Sequence, residues 1–187
     1  MTELDAETVV LGLGGNVGGD EAILARFAAV ARALETWSTV RGSRVYRTAA
    51  LGREQPDFLN AALAVDAPEE LAASELIREV QSLERTLGRD RAAEGRWGPR
   101  PLDLDVLLWG VRRFAFRGPP ALEVPHPRLA ERAFALAPVI DLVGPDLVHP
   151  VLGRPLGELR ASVANQRVDV TTLAIEGAPP APHLLDR

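Results

Sequence analysis

The run RWGPRPLDLDVLLWG, residues 96–110, carries two aspartates two positions apart in a stretch otherwise suited to burial. In a strand, residues i and i+2 point to the same face. Asp103, Asp105, Leu107 and Trp109 are therefore expected on one face, and Leu102, Leu104, Val106 and Leu108 on an apolar face turned to a core. Two carboxylates about 6–7 Å apart repel by roughly 2–3 kcal/mol at an effective dielectric near 20. Something must offset that repulsion. Arg85, Arg89, Arg91, Arg96 and Arg100 all lie just before the pair. They could be a solvated surface, could neutralise the carboxylates directly, or could join them in binding one polyanion. In the last case the carboxylates would act through Mg²⁺, which takes one or two protein carboxylates plus phosphate oxygens and water. A pair of such metals clamps phosphates in a displacement reaction.

Three other features have candidate chemistry. The turn GLGGNVGG (12–19) follows an apolar run, but it is neither a P-loop nor a dinucleotide fingerprint, since Val17 stands where the third glycine belongs. A tight strand–helix turn needing positive φ is the competing reading. His126 lies between two prolines, placed either to cap a turn or to contact phosphate or move a proton. Trp97 lies in a polar, glycine-flanked loop, where it is better suited to cover a flat ligand than to fill a core; Phe58 and Phe134 are aromatics of the kind that usually fill one.

The elements that must position these groups follow from periodicity. Residues 8–14 read as a strand and 20–37 as a helix with Ile23, Phe27, Val30, Ala31 and Leu34 on one stripe and Asp20 as N-cap. Strands are expected over 39–48 and 58–67, separated by a loop at 48–57. A helix opened by Pro68 runs to Gly88, with Arg85 in its last turn. A polar loop at 88–100, hinged by Gly88, Gly95 and Gly98, precedes the aspartate strand. A turn and strand over 111–127, a helix over 128–140 limited by Pro138, a short helix near 155–164 and an edge strand at 167–175 complete the reading. The order of elements is the ferredoxin-like βαββαβ pattern of an α+β sandwich, with helices packed on an antiparallel sheet. Residues 1–164 are expected to be one domain and 165–187 a partly disordered extension.

Composition sets bounds. The 187 residues suffice for a real core. No apolar run reaches 18 residues, and the acidic start MTELDAETVV lacks a signal pattern, so a cytoplasmic protein without a membrane partner is expected. The net charge of −5 argues against a general nucleic-acid binder. There is no cysteine, which excludes thiolate catalysis and zinc–sulfur sites. There is no lysine either, which excludes a P-loop lysine and a Schiff base, so any phosphate must be handled by arginine.

Together, YRTAALG, QPDFLNAAL, GRDRAAEGRWGPRPLDLDVLLWG and VPHPRLAERAFALAPV, with the glycine turn ending in Asn16, resemble the 6-hydroxymethyl-7,8-dihydropterin pyrophosphokinases of folate biosynthesis over roughly residues 8–150. The resemblance implies the ferredoxin-like fold and transfer of a pyrophosphate from MgATP to the pterin hydroxymethyl group, with AMP released. It implies two Mg²⁺ held by Asp103 and Asp105, and Arg89 and Arg100 stabilising the transferring phosphates. It further implies ATP contacts from Gln81, Glu84, Arg91, Arg96 and His126. The pterin would lie between Phe58 and Phe134, with Asn60, Thr48 and Leu51 at its polar edge, Trp97 closing over it and Arg132 anchoring it. The loops at 48–57 and 88–100 would exclude water. The partners implied are the two small-molecule substrates, and a monomer is expected. Ala92 and Pro127 depart from the family, where a lysine and a tyrosine often stand. Two other readings compete: a dinucleotide-binding oxidoreductase using the Gly12–Gly18 turn, which predicts a parallel sheet, and a binding-only descendant, which has no need of the aspartate pair.

Overall fold

A computed structural model describes residues 4–50, 54–90 and 98–179. Strand β1 (Thr8–Gly15) lies inside the sheet, between β4 (Phe58–Asp66) and β5 (Asp103–Trp109). β4 also pairs with β2 (Arg41–Gly42) and β3 (Tyr46–Thr48), and β8 (Asp169–Val170) adds an edge to β3. A separate hairpin joins β6 (Phe114–Phe116) to β7 (Leu122–Val124). Every strand pairing among the described residues is antiparallel, which removes the dinucleotide-fold alternative. The chain crosses from β1 through α1 (Gly19–Leu34) to β3, and from β4 through α2 (Ala73–Thr86) to β5, each time skipping one strand. That is the expected ferredoxin-like α+β arrangement.

The sheet has an apolar layer on each face. Ile23, Phe27 and Leu34 of α1 and Leu76 and Val80 of α2 meet Leu11, Leu13, Leu59, Leu63, Leu104 and Val106 on one side. Leu136, Val139 and Leu142 of α3 (Ala133–Val143), with Leu156 and Leu159 of α4 (Leu156–Ser162), meet Val10, Ala62, Ala64 and Leu108 on the other. Ile175 and Ala178 are buried in the first layer, so the described part of the C-terminal segment packs into the core. Among the described residues no helix is long and apolar enough to cross a membrane.

Two one-residue insertions correct the expected faces. Leu11 pairs with Val106 but Val10 pairs with Leu108, so Leu107 is an extra residue in β5. A bulge of this kind inverts the alternation beyond it. Asp103, Asp105 and Leu107 keep their common face, whereas Trp109 moves to the first core and Leu108 to the second. The expected strand over 39–48 is likewise broken. Gly42 pairs with Leu63 and Tyr46 with Asn60, so three residues oppose two. Ser43 Oγ accepts the Ala62 N–H at 2.8 Å in place of a ladder carbonyl. This extra residue turns Tyr46 and Thr48 to the face of Asn60.

The helix ends also differ from expectation. Gly18, at φ +93°, caps α1, and Asp20 instead sits in the first turn, bonded to Arg47 at 2.7 Å. Gly18 and Gly19 both have positive φ, as the tight-turn reading requires. The second helix starts at Ala73 rather than Pro68, because Pro68–Leu71 closes a turn of its own and Glu75 Oε2 accepts the Ala72 N–H at 2.9 Å. Pro138 does not end α3, which runs through it to Val143.

The bulge before β3 frees the Arg44 N–H, and α3 supplies its partner. Asp141, 3% exposed, accepts that N–H at 3.1 Å, Arg44 Nε at 3.1 Å, Arg44 Nη2 at 2.6 Å and the Tyr46 hydroxyl at 2.7 Å. Burial and this bond hold the Tyr46 phenol well above its ordinary pKa. Hydrogen bonds to a charged group contribute about 1.5–3 kcal/mol. Asp141→Asn is therefore expected to lower the unfolding free energy in urea by about 2–3 kcal/mol, and a loss within the error of the wild-type curve would refute this account of how α3 is fixed.

Candidate active site

The site lies on the α3 side of the sheet, just beyond the N-terminal end of that helix. Its floor is set by register. Gly12 lies opposite Asp105, and Gly14 opposite both Asp103 and Asn60. The G-x-G of β1 thus mirrors the D-x-D of β5. A Cβ at Gly12 would run into Leu107 Cδ1 at 2.8 Å; one at Gly14 would stand 3.4 Å from Asn60 Oδ1 and 3.8 Å from the Asp103 Cβ. The glycines keep backbone alone beneath the aspartates. The alternation of Gly12 and Gly14 with Leu11 and Leu13 was the available signal for this role, hidden by the glycine turn that follows.

The two carboxylates have different surroundings. Arg89 Nη1 donates to both Glu84 Oε1 and Asp103 Oδ1, and Arg100 Nη1 donates to Asp103 Oδ2 at 3.0 Å. Glu84, on α2, is only 1% exposed, and its Oε1 also accepts the Leu104 N–H at 2.9 Å on the outer edge of β5. It anchors Arg89 inside the protein. Asp105 has weaker company, with Arg132 Nη1 at 3.8 Å and His126 Nε2 at 4.0 Å from its Oδ2. Loss of surrounding water, and next the Asp103 charge, push the Asp105 carboxyl up to about 6.

His126 is held by backbone on two sides. Its N–H donates to Leu107 O at 2.9 Å, and its Nδ1 accepts the Arg128 N–H at 3.1 Å. Burial, then Arg132 and Arg128, push the imidazole down to about 4. The ring is neutral near pH 7, and with Nδ1 accepting, the proton resides on Nε2. Nε2–H is thus a fixed donor turned to the Asp105 side, which makes the ring a hydrogen-bond donor to an anion rather than a cation.

On the other flank, Asn60 Nδ2 donates to Thr48 Oγ1 at 2.9 Å, and Phe58 pairs with Thr48 at the end of β4. Phe58, Asn60 and Thr48 share the face of Gly14 and Asp103. Phe134 packs on this face from α3, with the Arg132 guanidinium 5.6 Å from its ring centre. Gln81 is half-buried on α2, three residues before Glu84. Leu51, Arg91, Arg96 and Trp97 lie outside the described residues, as does Ala92. The structure therefore brings together Asp103, Asp105, Arg89, Arg100, Glu84, His126 and Arg132 around one floor. Asn16, whose amide bonds to residues on both flanks, received no role from sequence reasoning.

The donor set fits divalent cations. Two carboxylates share a face, one of them with no ion pair shorter than 3.8 Å among the described residues, above a floor without side chains. Among the described residues no group of three or more His, Cys, Asp and Glu could hold a metal. A metal here would complete its shell from phosphate and water, as Mg²⁺ commonly does. Arg100 Nε is buried without a hydrogen-bond partner among the described residues, a donor available to an anion.

Residues 10–144 match the family model described as 7,8-dihydro-6-hydroxymethylpterin-pyrophosphokinase (HPPK). The chain is 35% identical over 157 residues to the folic acid synthesis protein fol1 of Pneumocystis carinii, covering 80% of this chain and 19% of that protein. It thus spans about a fifth of that relative's length. It is 34% identical over 154 residues to the 2-amino-4-hydroxy-6-hydroxymethyldihydropteridine pyrophosphokinase of Aquifex aeolicus, covering 82% of this chain and 90% of that one. The fold resembles the crystal structure of Plasmodium falciparum HPPK-DHPS, with a TM-score of 0.63 at 13% identity over 84% of this chain and 45% of that one. By the extent of the family match and the near-complete overlap with the Aquifex relative, this chain belongs to the 7,8-dihydro-6-hydroxymethylpterin-pyrophosphokinase family.

Proposed function

We propose that this protein transfers pyrophosphate from ATP to the hydroxymethyl oxygen of 6-hydroxymethyl-7,8-dihydropterin, releasing AMP. The observation that carries this reading is the Asp103–Asp105 pair above the Gly12–Gly14 floor, ringed by Arg89, Arg100 and Arg132. Family membership supplies the reaction class.

In this reading Asp103 and Asp105 hold two Mg²⁺. Bound there, the metals would neutralise phosphate charge and lower the pKa of the attacking hydroxyl. The protein's own groups do the rest. Arg89, anchored by Glu84, stays in place when Asp103 turns to metal, and its charge faces the transferring phosphates. Arg100 donates through Nη1 and Nε to the same anion. His126 Nε2–H donates to a phosphate oxygen without adding charge. Gln81 serves the nucleotide side. Arg91 and Arg96 are assigned to phosphate, and Leu51 and Trp97 to the pterin, on the resemblance alone.

The pterin lies flat between Phe58 and Phe134, with the Asn60–Thr48 pair at its polar edge and Arg132 beside it. Stacking of this kind contributes about 1–3 kcal/mol per ring. The reading is of a monomer acting on two small molecules. A binding-only descendant is disfavoured by the retained carboxylates and their arginines.

Incubation with the pterin, ATP and Mg²⁺, followed by separation of nucleotides, is expected to give AMP in step with pterin pyrophosphate. Asp105→Asn is expected to lower kcat/KM by more than about a hundredfold, beyond the usual effect of an outer-sphere partner. ADP as the product, or no nucleotide turnover by folded wild type, would overturn the reading. Glu84→Ala removes one partner of a buried ion pair. It is expected to cost about 3–5 kcal/mol of stability, read by urea unfolding; an unchanged curve would show that Arg89 needs no anchor.

A further inference from the structure

Asn16 follows the last residue of β1 and is 2% exposed. Its N–H donates to Arg100 O at 3.0 Å, and its Oδ1 accepts the Arg100 N–H at 2.9 Å. Backbone and side chain together thus clamp residue 100 in the manner of a strand pair. The other end of the same amide faces the opposite way. Nδ2 donates to Pro56 O at 3.0 Å and to Gln55 Oε1 at 3.3 Å. Pro56 lies two residues before Phe58, the first residue of β4. One buried amide therefore bonds the segment carrying Arg100 to the segment that enters the Phe58 strand.

We infer that Asn16 is a positioning residue that locks these two segments in one register, so that the groups proposed for the pterin and those proposed for phosphate move together. The inference rests on the function proposed above. The chemistry of the amide suits this task and few side chains could replace it. One end must accept from an N–H and the other must donate to a carbonyl, at a depth where an unmatched polar group is costly. The backbone around it adds little slack, because a Cβ on the preceding Gly15 would meet Pro101 O at 2.7 Å. Two attached segments whose positions bias each other give binding energies that are linked. Cutting the amide's bonds to one flank should then weaken binding of the substrate of that flank, while the flank still bonded to Asn16 keeps its own.

The substitutions separate the two ends. Asn16→Asp keeps the acceptor for the Arg100 N–H but presents an oxygen to Pro56 O and Gln55 Oε1. It is expected to raise the KM for the pterin about tenfold, the equivalent of about 1.4 kcal/mol, while the KM for ATP stays within about twofold. Asn16→Ala frees both ends and is expected to lower kcat as well, by about ten- to a hundredfold, as misplaced groups do. Melting curves on the same samples separate loss of fold from loss of register. Should the Asn16 variants fail to fold, Gln55→Ala, which touches the amide from the far side only, is expected to raise the pterin KM severalfold with the KM for ATP unchanged. A folded Asn16→Asp or Gln55→Ala variant whose two KM values move together, or do not move, overturns the inference and leaves the function standing. A folded wild type that makes no AMP overturns both.

Discussion

The repulsion between Asp103 and Asp105 is the constraint around which this end of the molecule is built. It is met unequally. Asp103 is held by Arg89 and Arg100, and Arg89 is in turn fixed by the buried Glu84. Among the described residues, Asp105 has one cation at 3.8 Å, Arg132, and a neutral imidazole at 4.0 Å. Burial and the Asp103 charge push the Asp105 carboxyl up to about 6. A strongly perturbed carboxylate beside a cluster of arginines is a mark of a functional site.

The floor under the pair depends on chain register, and register depends on two bulges. Without the extra residue at Leu107, Trp109 would stand on the aspartate face and Leu108 in the first core. Without the extra residue between Gly42 and Tyr46, Thr48 would turn away from Asn60. Each insertion re-aims one stretch of side chains while leaving the rest of the sheet in place. Bulges beside functional sites are commonly used in this way.

Much of this was legible in the sequence because it is local. Period-two alternation placed Asp103 and Asp105 together, and the apolar stripe of α1 named Ile23, Phe27 and Leu34 as core. The order of elements fixed the antiparallel sandwich. What was hidden is non-local. The face of Trp109 is set by its pairing with Val9 across a bulge, not by its neighbours in sequence. The resemblance assigned Glu84 to ATP, yet its carboxylate is buried between Arg89 and the Leu104 N–H at the edge of β5. Asp20 looked like a cap, but the turn ends at Gly18, whose positive φ costs glycine little, and Asp20 falls in the first turn of the helix. Pro138 looked like a stop, but α3 tolerates it within an otherwise buried helix.

The second bulge also links the frame to the chemistry. By displacing Ser43 it frees the Arg44 N–H, and Asp141 of α3 accepts that donor together with Arg44 and Tyr46 side chains. Asp141 lies near the C-terminal end of α3, whereas Arg132 and Phe134 stand at its start. At 1.5 Å per residue the two ends are about 12 Å apart. A helix pinned by a charged network at one end and packed on the sheet along its length has little freedom to tilt. The position of Arg132 beside Asp105 then depends in part on a bond made at β3, beyond β1 and β4 on the same side of the sheet. The strand irregularity that turns Thr48 toward the site and the helix that delivers Arg132 and Phe134 to it are thus fixed by the same carboxylate.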